Sequence, residues 1–131
     1  MSEPVWLLRS VVLTLHHKQI AEHGGASGVR DLGLLESALA RPVNGYAYGE
    51  RSIHALAAAY ASGIVKNHPF VDGNKRSAFL GAYIFLRRNV YELTADNGSA
   101  VEAVLTLASG KMDEKRFTDW PARNTRATQS R

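Results

Sequence analysis

The chain has 131 residues, 45% hydrophobic and 21% charged, with no cysteine. This is the composition of one globular domain; it excludes a disordered or collagen-like chain, a coiled-coil rod, disulfides, zinc–thiolate centres and thiol nucleophiles. The net charge of +4 is uneven, with +1 over residues 1–110 and +3 over residues 111–131, so the excess sits in a short basic end, and nucleic-acid binding as a primary role is not expected.

The longest unbroken apolar run, 55–61, is far shorter than the ~20 residues of a membrane span. Glu3 and Arg9 break the pattern of a secretory signal. A cytoplasmic location is the expectation.

Pro4 suits a first helical turn, and Val5, Leu8, Val12, Leu15 and Ile20 form an apolar stripe that Gly24 and Gly25 end. Asp31 is a good N-cap for a second helix carrying Leu32, Leu35, Ala38 and Leu39, which Pro42 is expected to end. Residues 43–50, VNGYAYGE, read as a loop or hairpin, the one plausible β element, with Tyr46 and Tyr48 as a possible flap. A third helix spans about Ser52 to Asn67, its alanines inviting close helix packing. A fourth starts near Gly73 or Asn74 and runs to about Asn89. A fifth follows Asp96, with Ser99 and Glu102 as a capping box and Val101, Val104, Leu105 and Ala108 facing inward. Asp113 opens a last short helix bearing Phe117 and Trp120. The expected fold is all-α, a compact bundle of five to six helices with a short flap or hairpin before the site loop. Residues 1–121 form the domain, and 122–131 a flexible basic tail.

The chemistry concentrates in HPFVDGNKRS, residues 68–77. A loop passes a histidine, turns at Asp72-Gly73 and opens a helix. The first amides of a helix have no internal partner and, with the positive end of the dipole, form an anion site. Lys75 and Arg76 place two cations where the dipole disfavours them, a conflict that a bound polyanion resolves. Arg76 offers a planar fork for phosphate. Asp72 is a hard oxygen ligand suited to Mg²⁺ beside phosphate. Asn74 can donate to a phosphate oxygen or fix the loop. His68 can take a proton from a hydroxyl near neutral pH. Base, metal ligand and phosphate clamp together read as phosphoryl-type transfer. No Walker-type or dinucleotide-type glycine pattern is present. His16, His17, His23 and His54 lack ligand spacing with carboxylates, and no metal site is expected there.

At His68, Phe70, Asp72, Gly73, Asn74 and Arg76 the sequence resembles the Fic/Doc superfamily, whose pattern is His-x-Phe-x-Asp/Glu-Gly-Asn-Gly-Arg. Lys75 stands where the adenylyltransferase branch has glycine, which is the mark of the death-on-curing (Doc) branch, the toxins of type II toxin–antitoxin modules. The stretch GGASGVRDLGLLESALARP, residues 24–42, is also similar to that branch, and the resemblance covers roughly residues 15–110. It implies ATP with Mg²⁺ as the donor system and transfer of the terminal phosphate to a threonine of elongation factor Tu, arresting translation. It implies His68 as catalytic base, Asp72 as metal ligand, and Gly73, Asn74, Lys75 and Arg76 as phosphate-binding residues, with Phe70 anchoring the loop. AMP transfer at the same site and a catalytically inactive binding module are the alternatives. Within this sequence no glutamate precedes Gly or Asn, so the internal inhibitory glutamate motif of many relatives is absent. The resemblance therefore implies a separate antitoxin chain covering the active-site groove.

Overall fold

A computed structural model of the chain describes residues 3–94, 103, 119, 121 and 123–127. Four helices, α1 (Arg9–His23), α2 (Leu32–Ala47), α3 (Ile53–Asn67) and α4 (Asn74–Arg88), precede a two-stranded antiparallel sheet of β1 (Tyr91–Leu93) and β2 (Thr125–Ala127). The fold is mostly helical, as expected. Most of the fifth and sixth helices of the sequence reading lies outside the described residues; among these, Ala103 is helical and buried.

Helix α3 is the axis of the domain. It packs on α2 and α4, and every residue from Leu56 to Ile64 is buried. Small side chains permit this. A Cβ on Gly63 would sit 3.2 Å from the Cα and Cβ of Ala38, so α2 and α3 approach at backbone distance. Tyr60, Phe85, Leu35, Leu56 and Ile64 fill the remaining space as the largest wholly buried side chains around the α2–α3–α4 seam. Ser52 caps α3 by accepting from the Ala55 N–H at 3.1 Å, and Asp31 caps α2 by accepting from the Leu34 N–H at 3.0 Å.

Three boundaries differ from the sequence reading. Helix α1 begins at Arg9 rather than Pro4, because tertiary partners hold the preceding segment extended. The Val5 N–H donates to Asn89 Oδ1 at 2.8 Å, Asn89 Nδ2 donates back to the Val5 carbonyl at 3.0 Å, and the Leu7 N–H donates to the Tyr60 hydroxyl at 3.0 Å. Leu7 is therefore buried, and Leu8 is 57% exposed.

Helix α2 passes through Pro42 and ends at Ala47. Proline there removes the bond to the Ala38 carbonyl, and Pro42 is fully buried, so packing compensates. Residues 43–47 are thus helical, and the expected hairpin at 43–50 is not formed. Tyr46 packs edge-on against Trp6 and under the Arg51 guanidinium, while Tyr48 is 93% exposed.

The sheet forms elsewhere. Tyr91, Glu92 and Leu93 pair with Ala127, Arg126 and Thr125, so residues 125–127 of the expected tail form a strand. His54 Nε2 donates to the Thr125 hydroxyl at 2.9 Å, because the proton of that hydroxyl is donated to the Pro121 carbonyl. Burial pushes the His54 imidazole below its ordinary range. No helix among the described residues is long and apolar enough to cross a membrane.

Candidate active site

The site loop, 68–73, joins α3 to α4. Pro69 disfavours right-handed helical geometry at the residue before it, so α3 stops. The His68 N–H still bonds the Ile64 carbonyl at 3.1 Å, and His68 turns left-handed at φ 51°, ψ 54°. A non-glycine residue there is strained, a feature that clusters at functional sites. The His68 side chain is exposed to solvent.

Two residues hold the loop from inside. Phe70 is fully buried and clamped by Asn74, whose Oδ1 accepts from the Phe70 N–H and whose Nδ2 donates to the Phe70 carbonyl, both at 2.9 Å. This pair of bonds fixes the orientation of the amide. Its other Nδ2 hydrogen faces His68 Nδ1 at 3.1 Å, so a neutral His68 accepting that bond carries its own proton on Nε2. Asn74 is buried and does fix the loop, the second of the two roles open to it from sequence.

Helix α4 then opens with no side-chain cap. Gly73 is left-handed at φ 75°, and a Cβ there would overlap Gln19 Nε2. Gly73 therefore satisfies a turn and a close approach together. The sequence of a left-handed residue followed by helical ones aims successive N–H groups into one concavity, a geometry that takes anions. Lys75 and Arg76 are exposed in this first turn, which holds no acidic residue, and neither pairs with a carboxylate among the described residues. Asp72 is exposed beside them. Its Oδ1 accepts from the Gly73 N–H at 2.8 Å, and its Oδ2 lies 3.4 Å from the Ala26 N–H.

The structure thus brings His68, Asp72, Gly73, Asn74, Lys75 and Arg76 into one loop and helix start. It also supplies residues that the sequence reading did not assign to the site. His16 is buried on α1, stacks on Phe70 and bonds the Asp72 carbonyl through Nε2 at 2.8 Å. Gln19, one turn further, reaches the Gly73 carbonyl at 3.5 Å. The spacing of His16 and Gln19, three residues apart on one helical face, was the available signal. The segment laid against the motif is 24–31, not 43–50: Val29 bridges Phe70, the Val71 N–H donates to the Gly28 carbonyl at 3.1 Å, and a Cβ on Gly25 would meet Asp72 Oδ2 at 2.7 Å.

An exposed imidazole, a carboxylate and two cations that pair with no carboxylate among the described residues, around an uncapped helix start on a helical scaffold, can receive an anion and act on a hydroxyl brought to it. The model of the Fic/DOC family matches residues 6–86, and the chain belongs to that family. It is similar to Toxin Doc of Mycolicibacterium smegmatis, 45% identical over 76 residues that cover 56% of this chain and 58% of that protein. It is also similar to Protein kinase doc of Escherichia phage P1, 29% identical over 109 residues that cover 82% of this chain and 86% of that protein. The matched part thus spans less than two thirds of the first relative's length.

Proposed function

We propose that the protein is a Doc-type toxin of a toxin–antitoxin module and an ATP-dependent phosphotransferase acting on a protein hydroxyl. Support comes from the names of the two relatives and from one geometric observation: His68 stands exposed at the end of α3, and the uncapped start of α4 follows six residues later with Lys75 and Arg76 exposed in its first turn. The triphosphate lies on the α4 amides. Arg76 grips it through its planar fork and Lys75 as a point charge. The dipole conflict of these cations in the free protein is relieved when the polyanion arrives.

The exposed Asp72 carboxylate fits a nucleotide-borne Mg²⁺, to which it would supply one hard oxygen. When bound, the ion neutralises charge on the phosphates. Asp72 is prepared for this: its Oδ1 is oriented by the Gly73 N–H, and the carboxylate remains exposed.

His68 takes the proton from the acceptor hydroxyl, for which a threonine of a translation factor such as elongation factor Tu is the proposed source. Work at Nε2 calls for the tautomer with its proton on Nδ1, which gives up the Asn74 bond. That costs about 1 kcal/mol, the net value of one hydrogen bond, and substrate binding exceeds it. The hydroxyl oxygen bonds the γ-phosphorus as the bond to the ADP oxygen breaks. The cognate antitoxin is a separate chain covering this groove.

The test supplies ATP labelled at the γ- or the α-position together with elongation factor Tu and a cell extract. Label from the γ-position on protein, lost in His68→Ala, is the expected result. Label from the α-position would replace the kinase reading with AMP transfer, and no transfer from either would end it.

A further inference from the structure

His68 owes its place to its backbone. It is one of two non-glycine residues with positive φ among the described residues, the other being Val90. Left-handed geometry at a side-chain-bearing residue persists only when neighbours over-determine it. The carbonyls at the end of α3 also have no helical partners. A single residue from outside the motif answers both needs. Arg30 Nε donates to the His68 carbonyl at 2.8 Å, Arg30 Nη2 donates to the Asn67 carbonyl at 2.9 Å, and the Arg30 backbone N–H donates to the Pro69 carbonyl at 2.7 Å. Three successive carbonyls, with His68 in the middle, are held by one arginine. Its charge also faces the negative end of the α3 dipole.

We infer that Arg30 is a positioning residue for His68, holding the imidazole in its working place through the backbone of residues 67–69. The inference rests on the reading of His68 as the base only for its kinetic consequence. The guanidinium fork matters more than the charge. A lysine ammonium is a point donor on a flexible stem and does not present two parallel N–H groups to neighbouring carbonyls. The anion site on α4 shares no bond with Arg30, so nucleotide binding and histidine placement are separable.

The experiment compares the full-length wild type with Arg30→Ala and Arg30→Lys by NMR and by kinetics. In Arg30→Ala the His68 amide exchanges about tenfold faster and its Cα shift moves away from the left-handed value, since hydrogen bonds from a charged donor are lost. The rate kcat for phosphate transfer falls about tenfold to a hundredfold, as small misplacements of a reacting group do. KM for ATP stays within about twofold, because binding to the α4 nest is unchanged. Arg30→Lys is intermediate, and methylguanidinium restores part of kcat to Arg30→Ala. Unchanged His68 exchange and Cα shift in Arg30→Ala would overturn the inference. So would a joint loss of kcat and ATP affinity that tracks a fall in melting temperature and is not rescued. If the wild type transfers no phosphate while His68 still moves in Arg30→Ala, the kinase reading fails and the positioning role stands.

Discussion

His16 lies flat on Phe70, with ring centroids 3.8 Å apart and planes 6° from parallel, while its Nε2 bonds the Asp72 carbonyl at 2.8 Å. One side chain on α1 therefore grips the site loop at two points, one apolar and one polar. The histidine that a sequence reader sets aside as a poor metal ligand is the floor of the loop. His16→Ala removes both contacts and leaves a void. The expected cost is about 2–4 kcal/mol in urea unfolding, together with weaker ATP binding by calorimetry.

Asn74 controls the His68 ring. In Asn74→Asp one carboxylate oxygen keeps the Phe70 N–H, and the other turns the bond with His68 Nδ1 around, so that the ring donates. Neutral His68 should change from the Nε2–H to the Nδ1–H tautomer, visible in its ring ¹⁵N shifts. The Phe70 carbonyl loses its donor, which costs about 1–3 kcal/mol of stability. A ring that keeps its tautomer would show that Asn74 does not set it.

Gly63 fixes the spacing of α2 and α3. Its Cβ position is 3.2 Å from Ala38 backbone and side-chain carbon, and backbone cannot swing aside. Gly63→Ala should destabilise by about 1–3 kcal/mol through overpacking. Differential scanning calorimetry gives the answer, with a fall in melting temperature expected.

Burial pushes the Tyr60 phenol up to about 12, offset in part by the Leu7 N–H that donates to it. The unfolded chain ionises near pH 10, so the folded state holds the proton longer. Its stabilising contribution is whole below pH 10 and is lost as pH climbs toward 12. Tyr60→Phe should abolish this alkaline limb in urea midpoints measured from pH 8 to 12. It should also lower stability at pH 7, because the Leu7 N–H loses its acceptor.

Lys75 is the residue that departs from the adenylyltransferase pattern. On the proposed kinase reading, a bulky cation in the nest would crowd one nucleotide pose and favour the pose with the γ-phosphate toward the acceptor. Lys75→Gly should therefore shift label transfer from the γ- toward the α-phosphate of ATP. Continued transfer of the γ-phosphate alone would count against a selecting role for Lys75.

The motif loop and its helix were legible in the chain because local chemistry dictates them. Pro69 stops α3, Gly73 permits the left-handed turn, and Asp31 and Ser52 cap where a capping residue belongs. The amphipathic spacing of α3 and α4 follows from the same short-range rules, and these elements begin and end within a residue or so of expectation. What required the folded molecule lies in long-range partnerships that no local pattern encodes. Asn89 and Tyr60 hold residues 5–7 extended against a favourable proline, packing carries α2 through Pro42, and β1 finds its partner more than thirty residues away. The supports of the site loop are of that second kind. His16, Gln19 and Arg30 reach residues 37 to 56 positions distant, so their roles exist only once α1 and the 24–31 segment have closed on the motif. Sequence alone determined which groups are candidates for the chemistry; tertiary structure decided what holds them still, because a backbone hydrogen bond to a remote side chain leaves no periodic trace.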